Sequence, residues 1–266
     1  MRSLRIYLAL ATILLIGSCA TVPTVPSKVL SDLAPTGKLR AAINFGNPIL
    51  ATKDPSGGEP RGVSVDLSRE LARRLGVPVE LVTYEAAGKV VEGLKSGAWD
   101  VGYLAIDPVR AADLAFTAPY VVIEGAYLVR AGSPIRRNED VDRPGTRIAV
   151  GNGSAYDLYL TRELKNATIV RASTSPLVTD LFVAQQLDVA AGVKQQLEAD
   201  ARRVPGLRLL DGRFMVIEQA MATPKERTAG AQYLRGFVEE MKASGFVAAS
   251  LARQGIEGAS IAPPAR

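Results

Sequence analysis

The side chains able to do covalent chemistry are unevenly supplied: the chain has no histidine and a single cysteine, Cys19. That removes Ser/His/Asp and Cys/His nucleophilic triads, His-ligated metal sites and any intrachain disulfide. Glu124 and Glu218 each interrupt a long apolar run. A carboxylate there can act as a general acid or base in a desolvated cleft, or be a plain solvated or ion-paired hinge position. Gly153, Ser154 and Ala155 stand at an expected strand-to-helix turn, where unpaired N–H groups and the helix dipole favour an anion. Ser154 can cap that helix, touch a ligand, or do both. Asn47, before Pro48, offers a donor and an acceptor either to a ligand or to the turn it shapes.

These residues need a scaffold, and the composition supplies one: 47% hydrophobic and 22% charged residues over 266 positions suit a large domain or two lobes. The formal charge of +5 includes Arg2 and Arg5 of the N-terminal leader. The other charges are scattered without interleaved aromatics, so no nucleic-acid partner is expected. After Arg2 and Arg5 comes an uncharged apolar run over 6–16, the n-region and h-region of a secretory signal. It is too short to span a bilayer as a helix, which takes about 20 residues. Ile16, Gly17, Ser18 and Cys19 resemble the bacterial lipobox, and the chain's only cysteine lies where lipidation needs a thiol. Residues 1–18 therefore read as a signal peptide, and 19–36, with Pro23, Pro26 and Pro35, as a lipidated N-terminus and tether.

Beyond Gly37, short apolar strands alternate with amphipathic helices, the α/β pattern with largely parallel sheets. Strands are expected over 39–43, 79–82 and 101–106, with helices around Leu67, Leu71 and Leu75 and around Val90, Val91 and Leu94. Gly76 and Pro78 stop the first of those helices. A β-rich run over 120–129 follows. The pattern then restarts with strands over 147–150, 168–171 and 187–191 and helices near 154–164 and 177–185. A second interrupted apolar run over 214–222 and helices over 225–243 and 246–254 close the chain. If both interrupted runs cross between lobes, lobe 1 comprises 37–124 and 217–266 with its tail, lobe 2 comprises 125–216, and a ligand sits between them.

Several stretches, in order and spacing, resemble the bacterial extracellular solute-binding proteins of family 3, the polar-amino-acid type. They are Gly62-Val63-Ser64-Val65-Asp66-Leu67; Gly97-Ala98-Trp99-Asp100-Val101; Arg110 followed by Phe116-Thr117-Ala118-Pro119-Tyr120; the turn over 151–155; and 241–246. The resemblance covers nearly the whole mature chain. It implies a two-lobed periplasmic-binding-protein-like α/β fold with two hinge-crossing strands, and a monomeric lipoprotein in the periplasm or at the cell surface. Such a protein hands a small solute to an ABC permease in the inner membrane, with no cofactor, no metal and no catalysis.

The same resemblance makes Arg110 the grip on a ligand carboxylate, a role that suits a guanidinium's paired donors. It puts Phe45 over the ligand and Tyr103 and Ala105 in the first-lobe subsite. Tyr103 is equally a core residue, and Ala105 offers only its N–H. Where amino-acid-binding relatives carry an acid for the ligand ammonium, this chain has Val193, with Lys194 beside it. The ligand is then either no standard α-amino acid, or its amine is neutralised by Glu124 or Glu218. Lys194 can instead attract a second anionic group. Asp66 and Trp99 read as structural, a first-turn acid and a core anchor. The competing functions are a lyase or dehydratase using Glu124 or Glu218, and a ligand-sensing partner of a membrane receptor.

Overall fold

The computed structural model describes residues 25–265, so the leader and Cys19 lie outside the described residues. The helices are α1 (Ser27–Leu33), α2 (Val63–Leu75), α3 (Ala87–Lys95), α4 (Ala155–Glu163), α5 (Val178–Ala184), α6 (Lys194–Arg203), α7 (Thr228–Ala243) and α8 (Phe246–Arg253). The strands are β1 (Leu39–Asn44), β2 (Val79–Tyr84), β3 (Val101–Ala105), β4 (Leu114–Arg130), β5 (Arg147–Gly151), β6 (Thr168–Ala172), β7 (Val189–Val193), β8 (Leu207–Leu209), β9 (Met215–Pro224) and β10 (Ser260–Ile261).

They order as β2-β1-β3-β9-β4-β7-β5-β6, with β8 and β10 paired to β4. Two parallel βα halves, β2-β1-β3 and β7-β5-β6, are joined through the antiparallel pair β4 and β9. Parallel strands need helical crossovers, which explains why each half carries its own helices. Strand β4 pairs with β9 from Leu114 to Gly125, and from Gly125 onward with β7, so one strand serves both lobes. Pro119 has no N–H to donate, and the β4–β9 register slips on either side of it.

Leu67, Leu71 and Leu75 of α2 are buried, as their spacing predicts, and Gly76 ends the helix at φ +69°. Trp99 is fully buried, and its indole Nε1 donates to Val90 O at 2.8 Å. Asp66 holds α2 to α8 by accepting from Ser250 Oγ and from Arg253 Nη2. Both residues are structural.

Two departures from the sequence reading concern helices. Within the expected tether, α1 docks on α7: Val29 and Leu33 are buried, and Asp32 accepts from Gly230 N at 3.0 Å. Prolines on either side masked an apolar face at i and i+4. Helix α6 was absent from that reading because only Leu197, Ala199 and Ala201 interrupt its polar and charged residues, and Leu197 is the buried anchor. No described helix is long and apolar enough to cross a membrane.

Candidate functional site

The cleft between the halves holds a cavity with about 360 Å³ of empty space, its mouth included. Its walls are the C-terminal ends of β1, β3 and β7 and the first residues of α3 and α4, represented by Asn44, Ala105, Val193, Ala87 and Ala155, and Val193 is also the N-cap of α6. Parallel strands deliver this arrangement for topological reasons: their carboxyl ends and the amino ends of the helices that follow share one edge. First-turn N–H groups lack intrahelical partners, so this edge is electropositive.

Arg110 supplies the formal charge. It starts a single 3₁₀ turn and is 3% exposed. Its Nη1 donates to Ala105 O at 3.0 Å, and its Nη2 donates across the cleft to Gly153 O at 2.8 Å. The buried Nε has no partner. Burial draws the guanidinium pKa down to about 10, with nearby Asp107 pulling the other way. Asp107 accepts from Val109 N and pairs with Arg162 of α4 at 2.9 Å, a second tie between the lobes.

Opposite Arg110, Gly153 N donates to Asp157 Oδ2 at 2.9 Å, and Ser154 Oγ accepts from Asp157 N at 3.0 Å, so Ser154 is an N-cap as well as a cavity residue. Gly153 has φ +67°, and a Cβ there would stand 2.8 Å from Gly88 Cα. Gly153→Ala is therefore expected to oppose closure twice, through a left-handed backbone and through collision. Solute affinity should fall about tenfold, for roughly 1–2 kcal/mol of strain. Gly88→Ala, whose Cβ would meet Asn152 O at 3.4 Å, is the control. Calorimetric titration of both variants checks this, and equal affinities would remove the close approach from the account.

Of the residues singled out in the sequence, Tyr103, Ala105, Arg110, Ser154 and Asn47 line this cavity. The Tyr103 hydroxyl lies 2.9 Å from Ser68 Oγ of α2, and its ring packs edge-on to Tyr120. Burial raises its pKa, so it is a neutral wall. Asn47 Oδ1 accepts from Ile49 N at 3.2 Å, shaping the turn while its residue faces the cavity.

Phe45, Glu124 and Lys194 lie outside the lining. Phe45 packs at the core edge with Lys53 Nζ 5.4 Å from its ring centroid. Glu124 accepts from Arg213 at 2.7 Å and from Lys194 at 3.1 Å, and both cations hold its carboxyl below the usual range. The Glu124–Lys194 pair borders a separate hollow. Glu218 is exposed. Neither glutamate lines the cavity: of the alternatives open for each, Glu124 takes the ion-paired position and Glu218 the solvated one. Asn44 and Gln219, both buried and lining the cavity, were missed. A polar residue ending the apolar strand β1 was the available signal for Asn44.

Comparison with known proteins agrees with this architecture. A glutamine-binding protein of Geobacillus stearothermophilus is 21% identical over 214 residues, 79% of this chain and 81% of that protein. A mutant of ArgBP from T. maritima superposes with a TM-score of 0.73 at 22% identity, covering 86% of this chain and all of that one. A solute receptor for L-cysteine of Neisseria gonorrhoeae gives 0.73 at 22% identity, covering 84% and 92%. The family model for bacterial extracellular solute-binding proteins, family 3, matches residues 39–253. With two parallel halves, two shared strands and a cleft built on strand ends, the chain belongs to that family.

Proposed function

We propose that this protein captures a small carboxylate-bearing solute, amino-acid-like or another organic acid, between its closing lobes and delivers it to an ABC permease. The observation that carries the reading is Arg110: a buried guanidinium spanning the cleft with an unpartnered Nε in a cavity that three helix N-termini border. A carboxylate there would accept charge-assisted hydrogen bonds in the geometry a guanidinium favours. The family and the named relatives are binding proteins. We extend that to no catalysis on the solute, because the two glutamates offered as acid or base lie outside the cavity.

The lobes divide, in this reading, into 37–124 with 217–266 and 125–216. The protein is a monomer, held at an extracytoplasmic membrane surface by lipid on Cys19. A thermal-shift panel of amino acids, organic acids, amines and oligopeptides tests capture. At 100 times Kd the expected stabilisation is about 2.7 kcal/mol, or roughly 5–10 °C. No shift from any carboxylate would end the proposal, and recovery of altered solute would make the protein an enzyme.

The affinity for a carboxylate should also be flat from about pH 5 to about pH 9. The chain has no histidine, the lining residues Tyr103 and Tyr156 are pushed up by burial, and Arg110 is lowered only to about 10. The anion binds the protonated guanidinium, so affinity holds below that value and declines as pH rises through about 10. Titrations showing a drop between about pH 6 and about pH 8 would point to another titrating contact.

A further inference from the structure

Resting on the proposed carboxylate capture, we infer that the solute carries no ammonium group: the site is built for an anion whose remainder is uncharged and rich in hydrogen-bond acceptors, such as a 2-oxo or 2-hydroxy acid. Among the described residues, the cavity lining contains one formal charge, that of Arg110, and no carboxylate. Every nearby acid is committed elsewhere. Asp107 pairs with Arg162 and accepts from Val109 N. Asp157 accepts from Gly153 N and pairs with Arg171. Glu124 binds Lys194 and Arg213, and Glu218 faces solvent.

A zwitterion would satisfy Arg110 with its carboxylate but bring its own cation into the same closed space. There the ammonium would meet three helix N-termini, each repelling positive charge, and Val193, an apolar side chain 7% exposed at the end of β7. Water left outside by closure cannot solvate it, and a buried charge without a partner is strongly disfavoured.

The polar groups that do face the cavity suit oxygen acceptors. Asn44 Oδ1 is taken by Gly46 N at 2.9 Å and Asn47 Oδ1 by Ile49 N at 3.2 Å. Each bond takes one acceptor position of its amide oxygen and orients the NH₂ group as a donor still to be used. Gln219, buried beside Ile217 on the crossing strand β9, adds another amide. The hydroxyls of Tyr103, Ser154, Tyr156 and Ser175 also line the cavity and can donate or accept, and with the first-turn N–H groups they complete a lining rich in donors and without a carboxylate. An oxo or hydroxyl oxygen beside the carboxylate is met by these donors, whereas an ammonium finds hydroxyl and amide oxygens but no carboxylate to neutralise it.

The test uses matched pairs on the full-length protein: pyruvate and lactate against alanine, 2-oxoisovalerate against valine, and 2-oxoglutarate against glutamate, each titrated calorimetrically. The best-binding oxo or hydroxy acid should exceed its amino twin at least about tenfold, reflecting the uncompensated ammonium. In Gln219→Glu, an isosteric change that adds the missing carboxylate, the preference should shift about tenfold or more toward the amino twin. Val193→Asp provides the same charge from the opposite wall. An amino acid binding as tightly as its oxo twin, with Arg110 still required, overturns this inference and leaves carboxylate capture standing. A panel in which no carboxylate binds overturns both.

Discussion

Arg110→Ala is expected to weaken solute binding by about 2–5 kcal/mol, roughly 30-fold to several thousandfold, while the protein still folds. The large effect follows from what the substitution leaves behind. The solute carboxylate, buried by closure, would lose its counter-charge, and the cleft would lose the bond from Nη2 to Gly153 O that ties the lobes together. The small effect on folding follows from opposing contributions. Removing the guanidinium leaves Ala105 O and Gly153 O without that donor, at about 1–3 kcal/mol for each group kept from water. It also relieves the desolvation that draws this arginine's pKa down to about 10. Arg110→Lys should recover only part of the affinity, because one compact ammonium cannot serve two carbonyls on opposite lobes and a planar carboxylate together. Calorimetry with the best solute and melting of the solute-free protein measure the two effects. Affinity within about threefold of the parent protein would mean that the buried guanidinium is a strut between lobes and not the carboxylate grip.

Local patterns carried much of the fold into the sequence. Leu67, Leu71 and Leu75 gave α2 its face, and Gly76 its end, because both signals act within one helix. Helix α6 escaped because a charged stretch with one buried leucine has little period of its own, and packing on β4, β7 and β8 decides it. The site was less legible. Arg110 lies on a turn with no periodic neighbours, so only a resemblance could single it out. On β9 strand parity separates Glu218 from Gln219: successive side chains alternate faces, and Ile217 and Gln219 turn inward while Val216 and Glu218 turn out. Which parity faces the cleft depends on β9 lying between β3 and β4, a long-range arrangement that no local window contains. The choice between the two readings of Glu124 is non-local in the same way, since Lys194 and Arg213 come from distant segments and draw it into their ion pairs.

The second large effect is on stability, at the opposite end of β3 from the site. Asp100 is fully buried and accepts from Arg40 Nε at 2.9 Å, Arg40 Nη2 at 2.8 Å and Arg227 Nη1 at 2.6 Å, while its own N–H donates to Arg40 O. It thus ties β1, the start of β3 and the entry to α7 into one corner. Asp100→Ala would leave two arginines, mostly covered, facing one another without an anion. The expected loss is about 3–5 kcal/mol, lowering the melting temperature by about 10 °C in a body of this size. Asp100→Asn keeps an acceptor but not the charge and should fall between. Strand β3 separates this corner from Ala105 by about 16 Å, at roughly 3.3 Å per residue. At that distance the effects of Asp100→Ala and Arg110→Ala should add within about 0.5 kcal/mol, and Asp100→Ala should bind solute normally well below its melting point. Lost binding in that still-folded variant would show that the cleft is not preformed by its strand ends but depends on the far corner to keep β3 in register.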